Sequence, residues 1–143
     1  MDTTKRIYPA LPHWVAWMYG LLALVTIPWT IYLAATLPTR HLSPHWDASW
    51  VGLDIAIITM LGVNAINSYL ESKWLVMSAT ATSTLLIIDA WFDLTSARGA
   101  RDVSEAILMA LLIELPLAIV TFLVALRLVK REHLATHGAT LKH

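Results

Sequence analysis

Carboxylates inside an apolar helix are the residues of this sequence best suited to chemistry. Asp89 and Asp93 lie within the run Leu85–Thr95, which reads LLIIDAWFDLT and otherwise suits a membrane-spanning helix. The four-residue spacing places both side chains on one helical face, one turn apart. Burying a charge in hydrocarbon costs at least about 2.5–3.5 kcal/mol, so intramembrane acids generally face a partner, a cavity or a pathway.

Two further acids on neighbouring segments, Asp54 and Glu114, are predicted to join this pair, with Glu105 at the mouth of the cluster. Such a group predicts an outward-facing polar cavity that binds a cation or a protonated solute. Carboxylate oxygens are hard ligands, which suit protons, sodium, magnesium, calcium or manganese. Carboxyls that crowd together in a medium of low dielectric also hold protons more tightly, which makes the cluster a candidate proton carrier.

A structural role for the same acids is the alternative. In this interpretation Asp93 pairs with Arg98 or Arg101 at the membrane interface. Asp54 then accepts hydrogen bonds from tryptophan indoles or pairs with Arg40. Asp89 is then a buried, protonated hydrogen-bonding group. The depth predicted for Asp89 and Glu114 favours the functional interpretation, because neither side chain is long enough to reach the interface easily.

The overall composition is that of a membrane protein. Hydrophobic residues make up 57% of the 143 residues and charged residues 14%, whereas about a quarter of a soluble domain is charged. Ten basic and ten acidic residues balance, so no electrostatic argument for a nucleic-acid partner exists. The chain has no cysteine, which excludes disulfides, thiolate metal sites and thiol catalysis.

Four apolar segments are long enough for a bilayer core of about 30 Å, which needs about 20 residues per helix. They cover approximately residues 14–37, 50–70, 74–95 and 103–128. The connections between them are short, which favours neighbouring helices of opposite direction. The predicted fold is therefore an all-α, integral membrane, up-down four-helix bundle over residues 1–128, followed by a basic cytoplasmic tail, 129–143.

Lysine and arginine counts in the short loops predict the orientation. One side of the predicted topology carries seven basic residues, namely Lys5, Arg6, Lys73, Arg127, Lys130, Arg131 and Lys142. The other side carries three, namely Arg40, Arg98 and Arg101. This bias predicts a multi-pass protein of the cell membrane with both termini in the cytoplasm.

Polar and aromatic residues near the acids are candidates for lining a pocket. Trp50 and Trp91 lie close to the acids in sequence, and Asn64 and Asn67 lie deeper in the second segment. The asparagines allow two interpretations, a polar path towards the cytoplasm or ordinary hydrogen-bonded packing against the hydroxyl-rich third helix.

The first loop contains a possible metal site. His41 and His45 flank a proline, with Asp47 two residues further on, and two histidines with a carboxylate can bind a transition ion. Solvated loop histidines are the commoner situation. The sequence has no Gly-rich phosphate loop, nucleophile elbow or HExxH helix, so it predicts no cofactor and identifies no catalytic residue.

Three stretches together resemble a family of small four-helix bacterial membrane proteins that is common in actinobacteria. They are Trp50–Asp54 (WVGLD), Leu85–Asp93 with its DAWFD segment, and Glu114–Ala118 (ELPLA). The resemblance implies the four-helix architecture and suggests that these acids belong together. No activity is established for that family, so the resemblance assigns no functional residue.

The sequence favours a proton- or cation-linked transporter or channel, with the lipid bilayer and a small cation or protonated solute as partners. A homo-oligomer is expected because four helices enclose little volume alone. One alternative is a membrane-embedded acid/base enzyme acting on a lipid-soluble substrate, with Trp91 stabilising a carbocation through its ring face. The other is a non-catalytic scaffold subunit whose acids dock a basic partner.

Overall fold

The computed structural model describes residues 11–36 and 45–140, and this part of the chain folds into helices. The first three are α1 (His13–Thr36), α2 (Trp46–Tyr69) and α3 (Leu75–Ser96). The remainder is one continuous rod made of α4 (Gly99–Met109), a π-helical turn (Ala110–Glu114) and α5 (Leu115–Thr140). Four stretches are long and apolar enough to cross a membrane: 13–36, 46–69, 75–96 and 99–131.

The all-helical class and the four candidate spans predicted from the sequence are therefore confirmed. The helix α2 begins at Trp46, four residues before the predicted start, and α5 continues through Thr140, well beyond residue 128. Residues 1–10, 37–44 and 141–143 lie outside the described part. Four basic residues that entered the orientation count fall in these ranges: Lys5, Arg6, Arg40 and Lys142.

Small residues allow the helices to pack closely. The helix α1 contacts α2, α2 contacts α3, and α3 contacts the rod formed by α4 and α5. Alanine is frequent at the buried positions of these contacts, as at Ala16, Ala79, Ala90, Ala106, Ala110, Ala118 and Ala125. Gly20 faces α2, where an added Cβ would lie in ordinary van der Waals contact with the Ala65 Cβ, at 3.9 Å. Close backbone approach is the usual means of helix association in lipid, where apolar burial contributes little.

Large apolar side chains point away from the bundle. The side chains of Trp17 and Leu112, for example, are 75% and 70% exposed. A water-soluble helical domain of this size would bury residues of this kind. Their outward orientation suits a hydrocarbon solvent, as the four apolar spans require.

Polar side chains join the helices across the interior. Asn64 Nδ2 donates to Thr82 Oγ1 at 2.8 Å, and Asn67 Nδ2 donates to Ser78 Oγ at 3.1 Å, so two bonds link α2 to α3. Ser83 Oγ donates to the carbonyl oxygen of Ala118 at 3.0 Å and links α3 to α5. These bonds fix which levels of the three helices face one another.

The π-helical turn lies next to a proline. Pro116 has no N–H for the carbonyl four residues earlier, and its ring would clash with that carbonyl in a regular α-helix. The turn Ala110–Glu114 ends two residues before Pro116 and gives the chain the local room that the ring needs. Single π-helical turns are rare and often occur at functional sites. This one ends at Glu114, which is buried.

The side chains of Asn64 and Thr82 should be energetically coupled through their hydrogen bond. In a double-mutant cycle with Asn64→Ala and Thr82→Ala, we expect a coupling energy of about 0.6–1.7 kcal/mol, the range seen for hydrogen bonds between membrane helices. The measurement is reversible unfolding of the purified protein in mixed micelles.

Thr80 supplies the matched control, because it is exposed and its hydroxyl bonds to Val76 O of its own helix. A cycle that pairs Asn64→Ala with Thr80→Ala should show no coupling. Zero coupling in the Asn64–Thr82 cycle would contradict the bond.

Candidate functional site

A cleft of about 450 Å³ lies at the end of the bundle where α1 and α3 end and α2 and α4 begin. The helices α1, α2, α3 and α4 form its walls, and Glu114 of the π-helical turn also lines it. Its lining consists of Trp29, Tyr32, Leu33, Thr36, Trp46, Trp50, Asp54, Asp89, Asp93, Ser96, Ala97, Arg98, Asp102, Glu105, Ala106, Met109 and Glu114. All five acids of the predicted cluster are thus brought to one cleft.

The acids reach the cleft from α2, α3, α4 and the π-helical turn, and they differ in burial. Asp54 and Glu114 are almost completely buried, at 4% and 5% exposure. Asp89 and Asp93 are half-buried and lie one helical turn apart, while Glu105 is exposed at the rim. The burial increases from the rim inwards, so a charged group entering the cleft would leave water gradually.

Two contacts hold the inner acids. The Thr30 hydroxyl lies 3.2 Å from Asp54 Oδ2 and 3.1 Å from the Thr26 carbonyl oxygen, so it donates to one of them at a time. The Glu114 and Asp93 carboxyls lie within hydrogen-bonding reach of each other. Two ionised carboxylates present only acceptors, so a bond between this pair requires a shared proton.

Glu114 retains one free acceptor. Its Oε2 atom is buried and has no hydrogen-bond partner within the described part of the chain. Buried polar atoms are nearly always satisfied, and an exception next to a cleft points to a ligand, a proton or water as the missing partner. A buried acceptor that lines a cleft can bind whatever cationic group enters it.

The four inner acids of the cleft, Asp54, Asp89, Asp93 and Glu114, are not neutralised by neighbouring basic side chains. Within residues 11–36 and 45–140, no arginine or lysine forms an ion pair with Asp54, Asp89, Asp93 or Glu114. Arg101 pairs instead with Glu105, at 3.0 Å between Nε and Oε1, and both side chains are largely exposed. The structural alternative of pairing between Asp93 and Arg98 or Arg101 is therefore not what this part of the chain adopts. Uncompensated carboxylates in a recess concentrate negative potential and attract cations.

Aromatic rings form the other side of the cleft. Trp29 and Tyr32 come from the end of α1, with ring centroids 5.7 Å apart. Trp46 and Trp50 come from the start of α2, 5.8 Å apart in an edge-to-face arrangement. Trp50 also packs edge-to-face on Phe92, with centroids 5.9 Å apart, which fixes the orientation of its ring.

Three of the residues predicted to line a pocket lie elsewhere. Trp91 is 67% exposed and does not line the cleft. Asn64 and Asn67 lie outside the cleft lining and bond to hydroxyls of α3, as the packing interpretation predicts. Of the four candidates, Trp50 alone lines the cleft.

The predicted histidine site lies only partly within the described residues. His41 lies outside the described residues, His45 is exposed at the start of α2, and Asp47 is half-buried in the first turn. Within the described ranges, no three histidine, aspartate or glutamate side chains are placed to hold a metal ion. The acids of the cleft do not form such a set either.

The sequence interpretation missed the contribution of α1. Thr30, Trp29 and Tyr32 approach the acids, yet α1 is apolar on all sides and gives no periodic signal for its inward face. Tryptophan and tyrosine three residues apart, near the helix end that faces the acids, were the available signal. Pro116 was the corresponding signal for the π-helical turn.

No family model, curated protein or solved structure matches this chain. The resemblance to a small actinobacterial membrane family therefore stays a prediction, and the function has to be inferred from the cleft itself.

Glu114→Gln tests whether the buried carboxyl serves stability or function. The amide has the same shape and donates a hydrogen bond to Asp93 without needing a shared proton, so we expect the free energy of unfolding to change by less than about 1 kcal/mol. Unfolding in mixed micelles at neutral pH measures this.

Glu105→Gln is the control for the loss of an exposed ion pair, and it should leave the free energy of unfolding almost unchanged because water screens the pair. A loss of about 3 kcal/mol or more on Glu114→Gln would show that the carboxyl is a structural partner in a buried network.

Proposed function

We propose that this protein is a proton- or cation-linked membrane transporter or channel whose binding site is the acid cleft. The observation that carries the proposal is Glu114, a buried carboxyl with an unpartnered oxygen on the lining of a cleft. Ionisable residues inside membrane segments commonly mark ion pathways and proton relays. In this proposal Asp89 and Glu114 bind the cation or carry the proton, while Asp54 and Asp93 shape the entrance.

The proposal includes an up-down arrangement with both termini in the cytoplasm. The bonds from Asn64 to Thr82 and from Asn67 to Ser78 support opposite directions for α2 and α3. The lysine and arginine bias, seven against three, supports placing the cleft on the outer side of the cell membrane.

An apolar layer beneath the cleft supports a gated pathway. Moving inwards along the buried faces, Ile57 and Leu61 follow Asp54, Leu86 lies three residues from Asp89, and Ala118 lies four residues beyond Glu114. These four apolar residues belong to one packed core cluster. Hydrophobic constrictions of this kind can gate a pore by excluding water.

A polar layer lies beyond the apolar one. It consists of one completely buried polar residue from each of α2, α3 and α5, namely Asn64, Thr82 and Thr121. In the proposed cycle, transport requires the apolar layer to open between the cleft and this polar layer. Four apolar spans with a polar interior at two levels suit such a pathway better than a solid structural bundle.

The enzyme and scaffold alternatives have weaker support. An enzyme for a lipid-soluble substrate needs an apolar slot, whereas the rim of this cleft carries Arg98, Asp102 and Glu105. The exposed Trp91 is not placed to stabilise a carbocation in the cleft. A scaffold needs no cleft. Homo-oligomerisation stays a prediction.

The absence of native cysteines makes the topology directly testable. In single-cysteine variants, we expect Ala100→Cys, at the cleft end, to react with an impermeant maleimide added to intact cells. Ser72→Cys, in the turn between α2 and α3, should react only after the cells are opened. The reverse pattern would place the cleft in the cytoplasm, and labelling of both from outside would refute the arrangement.

Proton exchange in proteoliposomes tests the transport proposal. An inward gradient of at least one of three test cations, sodium, potassium and benzyltrimethylammonium, should raise the internal pH, reported by trapped pyranine. We expect Asp89→Asn and Glu114→Gln to abolish the change, because an amide neither balances a cation nor carries a proton at neutral pH.

Glu71→Gln is the matched control, since Glu71 lies in the turn at the opposite end of the bundle. It should exchange protons like the natural protein. If no cation moves protons through the natural protein, or if Asp89→Asn is fully active, the transport proposal fails.

A further inference from the structure

We propose that the cleft selects a small organic ammonium ion rather than a metal cation, with aromatic rings and carboxylates sharing its recognition. The inference deepens the proposed function, because it rests on the same cleft being a cation site and adds the chemical class of the cation. It is carried by the size of the cleft, the makeup of its walls and the free acceptor of Glu114.

The size of the cleft suits an organic ligand. Pockets for small molecules enclose about 300–1,000 Å³, and this cleft encloses about 450 Å³. A calcium ion would instead need six to eight oxygens at about 2.3–2.6 Å. Within the described ranges no cluster of acids and histidines is close enough for a metal ion. The carboxyls therefore border a space rather than converge on a point.

The aromatic walls supply recognition that a metal ion would not use. Trp29, Tyr32, Trp46 and Trp50 line the same cleft as the acids. An ammonium group within about 6 Å of a ring centroid is attracted by the ring quadrupole, most strongly by tryptophan, with about 2 kcal/mol where water is excluded. The edge-to-face contacts of Trp50 with Trp46 and Phe92 hold its ring in place before any ligand binds.

The charge of the cleft complements a cation and its depth complements an organic body. Six carboxyls and one guanidinium line it, and no described arginine or lysine pairs with the four inner acids. The free Oε2 of Glu114, a residue only 5% exposed, marks the inner position for positive charge. The rings of Trp46 and Trp50, nearer the start of α2, are then placed to cover the apolar part of the ligand.

Calorimetric titration of the full chain in nanodiscs tests this inference, with benzyltrimethylammonium as the probe. We expect saturable binding, at least about tenfold tighter than that of benzyl alcohol, because the neutral ligand lacks the charge that the carboxylates and rings recognise. Sodium chloride and calcium chloride, added at equal ionic strength, should lower the affinity for benzyltrimethylammonium equally, as ionic strength alone would.

Variants separate the two kinds of contact. Trp50→Leu should weaken binding about fivefold to thirtyfold, while Trp50→Phe should recover part of the loss because it keeps a ring. Asp89→Asn should weaken binding by a similar factor. This variant leaves the packing around Trp50 unchanged, so it tests the charge separately from the aromatic ring. Trp17→Leu, a change on the exposed face of α1, should leave the affinity unchanged.

The possible failures can be told apart. If sodium or potassium drives proton exchange but benzyltrimethylammonium does not bind, the organic-cation inference is wrong and the transport proposal stands. If the probe binds with the expected dependence on Trp50 and Asp89 but no cation moves protons, the inference stands and transport fails. Equal affinity for benzyl alcohol would reduce the cleft to an apolar slot and overturn the inference.

Discussion

The cost of placing carboxyls inside a membrane bundle is the constraint on which this structure depends. Each buried acid needs a hydrogen-bond donor, a proton, a cation or water, since hydrocarbon supplies none of them. The bundle meets this need only in part. Asp54 has the Thr30 hydroxyl, and Asp93 and Glu114 lie within reach of each other, where a bond between them would need a shared proton. One oxygen of Glu114 is left over.

Other parts of the fold provide what a partly satisfied site requires. Small residues and cross-helix bonds at the level of Asn64 and Thr82 hold the helices together away from the acids. The bundle can therefore leave the cleft end open without depending on the acids for cohesion. The π-helical turn ends at Glu114, two residues before Pro116, where a regular α-helix would clash with the proline ring. The cross-helix bond between Asn64 and Thr82 and the acids of the cleft thus lie at different levels of the same bundle.

The sequence predicts the helices well because hydropathy depends on composition alone. The four spans could be identified with ends near the observed ones, although Trp46–Ser49 was assigned to a loop because its polar residues resemble one. The acids of the cluster could also be grouped, since helical spacing and a common depth bring them to one end. What hydropathy cannot provide is the rotation of an apolar helix about its axis. The inward face of α1, with Trp29 and Thr30 near the acids, could therefore not be predicted from the sequence.

The helical spacing of the sequence was enough to predict that Trp91 does not face the acids. It stands two residues after Asp89 and two before Asp93, and positions two apart on a helix point in widely different directions. Its exposure follows directly from this geometry, while Trp50, four residues before Asp54, shares a face with that acid and lines the cleft. Closeness in sequence therefore misleads on a helix, and the four-residue repeat decides which aromatic rings can meet a cation beside the acids. The same repeat places the apolar layer directly beneath the cleft, so the residues that would bind a cation and those that would stop it share one face of each helix.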